Sequence, residues 1–130
     1  MKLLDTMVFV SAMNPSNKLH KTGMAYLNEL KTSELTRVPT SSLIEFDLVM
    51  RNNDYTEDEI SDTWRAVMPL VEGSYVSTTP SAHLVAASLR MKSLTYFDSL
   101  IAALAIETNS VVVTRDDAIA RHVKTEWRIG

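Results

Sequence analysis

The chain has 130 residues, of which 45% are hydrophobic and 22% charged, a composition typical of a single globular domain spanning residues 1–130. It contains no cysteine, which excludes disulfides, thiolate chemistry and cysteine-based zinc sites. The net charge of −3 argues against a protein that coats nucleic acid by bulk electrostatics, but it does not exclude a nucleic-acid enzyme with an acidic metal site.

The chain begins MKLLDTMVFVSAM, where Asp5 interrupts an apolar run that would otherwise resemble a signal peptide. No other stretch is long and apolar enough to span a bilayer, so we expect no membrane association and a cytoplasmic location. KLLD predicts a short buried strand of the parallel type, and TMVFVSAM predicts a helix. A carboxylate between two buried segments is costly unless it is paired, hydrogen-bonded or bound to a metal, which makes Asp5 a candidate functional residue.

Helices and strands alternate along the rest of the chain. Further helices are predicted in LHKTGMAYLNEL, SSLIEFDLVMRN, TEDEISDTWRAVMPLV, PSAHLVAASLRM, FDSLIAALAIET and DDAIARHV. The serines are expected to cap the second of these, Thr56 and Glu59 have the spacing of a capping box, and Pro80 suits a first helical position. Strands are predicted in LTRVPT, SYVSTT, SVVVT and TEWRIG. This alternation predicts a three-layer α/β/α sandwich with a central parallel sheet.

Four acidic residues fall at the expected ends of these elements. Asp5 ends the first strand, Asp116 follows SVVVT, Asp98 begins the buried helix FDSLIAALA, and Glu45 lies early in the helix after the second strand. Ligands in such folds collect beyond the carboxyl ends of the strands, so the four could meet at one edge of the sheet. Simpler explanations exist, because Asp98 and Asp116 could cap helices and Asp5 could accept hydrogen bonds from its turn.

Two acids compete within SSLIEFDLVMRN. Glu45 shares a helix face with Ser41 and Ser42 that is expected to be partly buried. Asp47 points the other way and precedes Arg51 by four residues, the spacing of an exposed ion pair. Glu45 is therefore the candidate site residue of this helix.

If these four carboxylates lie close together, we expect a cation to be bound among them. Without one, their mutual repulsion would shift their pKa values upward. All-oxygen ligands suit Mg²⁺ or Mn²⁺, the hard ions that also bind phosphate oxygens. Zinc is disfavoured because His20, His83 and His122 have no paired spacing.

The stretches LLDTMVFVSAM, PTSSLIEFDLVM, FDSLIAALA and VVVTRDD resemble the PIN-domain family, and within it the VapC-like toxins of toxin–antitoxin pairs, over essentially the whole chain. The resemblance implies an endoribonuclease that uses Mg²⁺ or Mn²⁺, with Asp5, Glu45, Asp98 and Asp116 as the acidic residues of the site. Asp116 is preferred to the adjacent Asp117 because it lies closer to the end of the strand.

Other residues are assigned supporting roles on the same basis. Thr6 and Thr114 would fix the rotamers of the carboxylates, and Asp117 would support Asp116. Arg115 and Arg121 are the candidates for contacts with RNA phosphates, although a solvated helix face explains these arginines equally well.

The resemblance also implies partners, namely an RNA substrate, a cognate antitoxin and a second copy of the chain in a homodimer. Met24, Leu27 and Met50 could form a dimer face, but we expect them in the core. Alternatives are a PIN-like module that binds RNA or protein without cutting, a housekeeping RNA-processing nuclease, and a receiver-like signalling domain. The last should carry a lysine after a late strand, where this chain has Arg115.

Overall fold

A computed structural model describes residues 1–128 and contains a five-stranded parallel sheet. Its strands are β1 (Lys2–Leu4), β2 (Thr36–Pro39), β3 (Tyr75–Val76), β4 (Val111–Val113) and β5 (Thr125–Glu126). They are arranged in the order β3-β2-β1-β4-β5. The predicted strand TEWRIG is confirmed at Thr125–Glu126, and its residues 129 and 130 lie outside the described residues.

Helices follow the strands as the alternation predicts. They are α1 (Thr6–Ala12), α2 (His20–Thr32), α3 (Thr40–Asn52), α4 (Glu57–Val71), α5 (Pro80–Arg90), α6 (Tyr96–Thr108) and α7 (Asp117–Ala120). Within residues 1–128, no helix combines the length and the apolarity that a membrane span requires.

Alternate residues of the central strands point into two separate cores. Leu4 and Val113, which are paired across β1 and β4, belong to the core formed with α1, α2, α3 and α4. Leu3 and Val112, the preceding pair, belong to the core formed with α6 and α7. Since successive side chains of a strand point to opposite faces, helices cover both faces of the sheet, and the three-layer prediction is confirmed.

Residues considered for a dimer face lie in the first of these cores. Leu27 is fully buried and Met50 is 3% exposed, while Met24 is partly buried against them. The expectation that these side chains belong to the core is confirmed.

The helix starts were predicted with mixed success. The capping box of Thr56 and Glu59 and the first-position Pro80 are confirmed. The predicted capping by serines is wrong, because β2 passes directly through extended Pro39 into α3, which begins at Thr40. Ser41 and Ser42 therefore fall inside the first turn, where they are buried.

Candidate active site

The carboxylates of Asp5, Glu45, Asp98 and Asp116 line one open cleft of about 390 Å³. Asp5 directly follows β1, and Asp116 follows β4 by a few residues. Because β1 and β4 are parallel neighbours, their carboxyl ends carry these two acids to the same edge of the sheet. Glu45 comes from α3, which follows β2, and Asp98 comes from the first turn of α6. Four elements distant in sequence thus contribute to one cleft.

Asp5 is the most enclosed acid of the cleft, with 8% of its surface exposed. Its Oδ1 accepts a 2.8 Å hydrogen bond from the Thr6 amide, and its Oδ2 accepts a 2.7 Å hydrogen bond from the Thr114 hydroxyl. The pKa of Asp5 is raised from 3.8 to about 6, mainly by burial and to a smaller extent by the nearby charges of Glu45 and Asp98, against the lowering effect of these hydrogen bonds.

Glu45 is half-buried, and its Oε1 accepts a hydrogen bond from the Thr6 hydroxyl. Burial raises the pKa of Glu45, the hydrogen bond from Thr6 lowers it, and the charges of Asp98 and Asp116 raise it. Thr6 therefore touches two acids of the cleft, through its amide at Asp5 and its hydroxyl at Glu45.

Asp116 is the N-cap residue of α7, as the simpler explanation of this residue predicts. Its Oδ1 accepts from the amides of Ala118 at 2.8 Å and Ile119 at 3.3 Å. Its own amide donates to the Thr114 hydroxyl oxygen at 3.1 Å. Capping does not remove Asp116 from the cleft, so the two explanations hold together.

Asp98 does not begin or cap its helix, because α6 begins at Tyr96 and Thr95 occupies the cap position. Burial raises the pKa of Asp98, a hydrogen bond with Thr95 lowers it, and neighbouring Asp116 raises it. The helix therefore begins two residues before Asp98, and the prediction that Asp98 starts it is wrong. Thr95 was not recognised as the N-cap residue.

The remaining predicted residues separate into two groups. Arg115 is exposed and lines the cleft. Asp117, the first residue of α7, and Arg121, at its end, are exposed and do not belong to the lining of the described cleft. The geometry therefore favours Asp116 over Asp117 as a site residue.

Met7 is a site residue that the sequence pattern did not reveal. Its Sδ accepts a hydrogen bond from the Arg115 amide at 3.1 Å and lies 3.4 Å from the Thr114 hydroxyl oxygen, whose proton is donated to Asp5. Met7, Val10 and Val49 supply an apolar wall beside the carboxylates. The only sequence signal that could have identified Met7 is its position two residues after Asp5, the first aspartate of the chain.

Chemically, the cleft offers four carboxylates that could act as metal ligands, against a single cationic side chain, Arg115, in its lining. None of the ion pairs found among residues 1–128 involves any of its four acids. Carboxylates of this kind suit a hard divalent cation. Over the same described part of the chain, no three His, Asp or Glu side chains are already arranged as a set of metal ligands.

Comparisons with known proteins agree with this layout. A family model described as the PIN domain matches residues 2–124. No curated protein matches the chain by sequence.

Solved structures share the fold at low sequence identity. FitAcB from Neisseria gonorrhoeae is 22% identical, with 96% of each chain covered and a TM-score of 0.73. VapBC2 from Rickettsia felis, bound to a DNA fragment from its promoter, is 18% identical, with 98% of each chain covered and a TM-score of 0.74. PAE2754 from Pyrobaculum aerophilum is 15% identical, covering 95% of this chain and 81% of that one, with a TM-score of 0.62.

Proposed function

The chain belongs to the PIN domain family, and from that premise we propose that it is a divalent-metal-dependent endoribonuclease, with residues 1–130 as a single nuclease domain. The observation that carries the proposal is the convergence of Asp5, Glu45, Asp98 and Asp116 on one cleft at the carboxyl end of the sheet. Such a cluster of oxygen donors is suited to phosphodiester chemistry, in which the substrate and the transition state are both anionic.

Asp5, Asp98 and Asp116, with Glu45, would hold Mg²⁺ or Mn²⁺. When bound, the ion would supply positive charge for the scissile phosphate and lower the pKa of a water molecule. The raised pKa values of Asp5, Glu45 and Asp98 support this assignment, because the charge of each carboxylate carries a desolvation cost that a cation would offset.

The chain's own uncharged groups would position these acids. Thr114 holds one oxygen of Asp5, and Thr6 holds Glu45, so each hydroxyl restricts the rotamers that its carboxylate can adopt. Glu45 would bind the ion or accept a proton from the attacking water. Arg115 would contact a substrate phosphate from the rim of the cleft, and Asp117 and Arg121 would have at most supporting roles there.

We further propose that the protein is the toxin of a toxin–antitoxin pair, acting in the cytoplasm. The VapC-like sequence pattern supports this role, and so does the fold shared with a structure named VapBC2. Expression alone should then arrest growth, and a small protein encoded beside it should restore growth. The homodimer implied by the same resemblance is tested by light scattering, which should give twice the chain mass of 14.6 kDa.

The direct test is RNA cleavage by the purified protein, with Mg²⁺ or Mn²⁺ and with EDTA. The expected result is internal cleavage of RNA that depends on the ion and is lost in Asp98→Asn, whose circular dichroism spectrum should match that of the unmutated protein. Asp58→Asn is the matched control, because it removes the same charge from an exposed position in the first turn of α4, outside the cleft. Absence of cleavage with either ion would refute the proposal and favour a module that binds without cutting.

A further inference from the structure

A second cavity, of about 300 Å³, adjoins the acidic cleft. Lys18 lines it from the loop before α2, Lys21 from the first turn of α2, and Trp127 and Arg128 from the segment after β5. Arg115 lines both cavities, so the two meet at this side chain. The second cavity is called the basic pocket below.

Within the part of the chain that the structure describes, most cations of the basic pocket have no ion-pair partner. Lys18, Lys21 and Arg115 are exposed, and none of them takes part in the ion pairs found among residues 1–128. Arg128 differs, because its guanidinium pairs with Glu29 at 2.6 Å and lies 4.6 Å from the centre of the Tyr26 ring. In a chain whose net charge is −3, three cations around one pocket with no ion-pair partner among residues 1–128 indicate an anionic ligand.

We propose that the basic pocket binds the sugar–phosphate backbone of single-stranded RNA on one side of the bond that is cut. This inference rests on the proposed function and extends it to a flanking subsite. Lys18 and Lys21 bind successive phosphates, and Arg115 binds the phosphate between the two cavities. Trp127, which is partly exposed and packs against Tyr26 with ring centroids 5.5 Å apart, lines the pocket beside these cations, and cations beside an aromatic ring are typical of single-strand binding.

The subsite predicts the salt dependence of RNA binding. Each phosphate contact with a single strand contributes about 0.7 to the slope of log Kd against log salt concentration. The variant Lys18→Ala/Lys21→Ala should therefore lower this slope by about 1.4. Lys31→Ala/Lys92→Ala is the control, because it removes the same charge from exposed positions outside both cavities and should leave the slope unchanged.

The measurement is fluorescence anisotropy of a labelled twelve-nucleotide single-stranded RNA, titrated in EDTA at several KCl concentrations. A second series uses RNAs that each carry one neutral methylphosphonate linkage. When the neutral linkage replaces a phosphate that contacts Lys18 or Lys21, the RNA should bind the unmutated protein more weakly but bind the lysine variant as before. The position of that linkage locates the subsite along the strand. Agreement of both series with these expectations supports the inference.

Contrary outcomes separate the two proposals. If the unmutated protein cleaves RNA but the lysine variant binds RNA with the slope of the control, the basic pocket is not an RNA subsite and the nuclease proposal stands. If the lysine variant instead loses only the binding of an acidic protein partner, the pocket serves that partner and the inference is overturned. If the unmutated protein neither binds nor cleaves RNA, the proposed function itself fails, and the subsite with it.

Discussion

The Thr114 hydroxyl donates a 2.7 Å hydrogen bond to Oδ2 of Asp5, a residue 109 positions earlier in the chain. The pair lies where β1 and β4 end side by side, with Leu4 opposite Val113. The Asp5 amide also donates to the Val113 carbonyl at 3.1 Å, which fixes the backbone of the turn. The sheet register thus places a hydroxyl directly on the most buried acid of the cleft.

Replacing Thr114 by valine should impair the site while preserving its shape. The variant leaves Oδ2 of Asp5 without its hydroxyl donor, and the pKa of Asp5 should rise because that bond now lowers it. Loss of a buried hydrogen bond should cost about 1 kcal/mol of unfolding free energy. RNA cleavage should fall and require more Mn²⁺ for half-maximal rate. Thr114→Ser keeps the hydroxyl and should restore both, whereas equal defects in the two variants would contradict the role of the bond.

A metal site and a set of helix caps predict different thermal behaviour. A cation that binds only the folded protein stabilises it by about 2.7 kcal/mol at a hundredfold excess over Kd. Mn²⁺ should therefore raise the melting temperature by several degrees, and Asp5→Asn should reduce this response. Differential scanning fluorimetry of both proteins in EDTA and in Mn²⁺ measures it. If Mn²⁺ does not change the melting temperature of the unmutated protein, the result would argue against a metal-binding role for the cleft.

The raised pKa of Asp5 predicts that the metal-free protein loses stability as pH rises. Asp5 has a pKa of about 6 in the folded protein and an ordinary value of 3.8 when exposed to water, so between these values the folded state binds more protons than the unfolded state. This contribution is fully present below about pH 4 and is lost through pH 6, a change on the order of 3 kcal/mol. Raised pKa values of Glu45 and Asp98 act in the same direction.

Comparison with Asp5→Asn isolates this titration from the other acids. Urea unfolding in EDTA should show the variant gaining stability relative to the unmutated protein between pH 4 and pH 7. Parallel pH profiles would mean that Asp5 is not desolvated in the folded state.

Periodicity and strand alternation were sufficient to predict the sheet, its flanking helices and the sheet edge where the acids lie. The helix-face argument also distinguished Glu45, which lines the cleft, from Asp47, which pairs with Arg51 at 2.8 Å. The predicted positions of these side chains agree with the structure because each depends on a short segment and on the fixed geometry of one element.

Features that join distant segments could not be predicted in this way. The basic pocket brings Lys18, Arg115 and Trp127 together from three parts of the chain. Single-sequence patterns carry no record of such tertiary contacts.

Asp47 illustrates a tertiary contact with a measurable cost. Besides pairing with Arg51, it accepts a 2.9 Å hydrogen bond from the indole of Trp64, which joins α3 to α4. Hydrogen bonds from Arg51 and then Trp64 hold the pKa of Asp47 below its usual value. Asp47→Ala removes both acceptors and should cost about 1–2 kcal/mol in urea unfolding, whereas Asp47→Asn retains an acceptor and should cost less. Cleavage per folded molecule should be unchanged in both, and a catalytic defect would mean that Asp47 belongs to the site.

Close packing of α1 against α2 depends on Gly23. A Cβ at this position would lie 2.9 Å from the Ala12 amide nitrogen, 2.9 Å from the Ser11 Cβ and 3.0 Å from the Val8 carbonyl oxygen. Two of these atoms are backbone, so α1 itself would have to move, and overpacking of this kind costs about 1–3 kcal/mol. Helix propensity alone predicts the opposite sign, a gain of about 1 kcal/mol for alanine in place of glycine.

Because the three contacts outweigh this gain, Gly23→Ala should lower the unfolding free energy measured in urea. Because α1 carries Thr6, the same displacement should also weaken RNA cleavage. If the variant is more stable than the unmutated protein, α1 can move away from the added methyl group without a loss of stability.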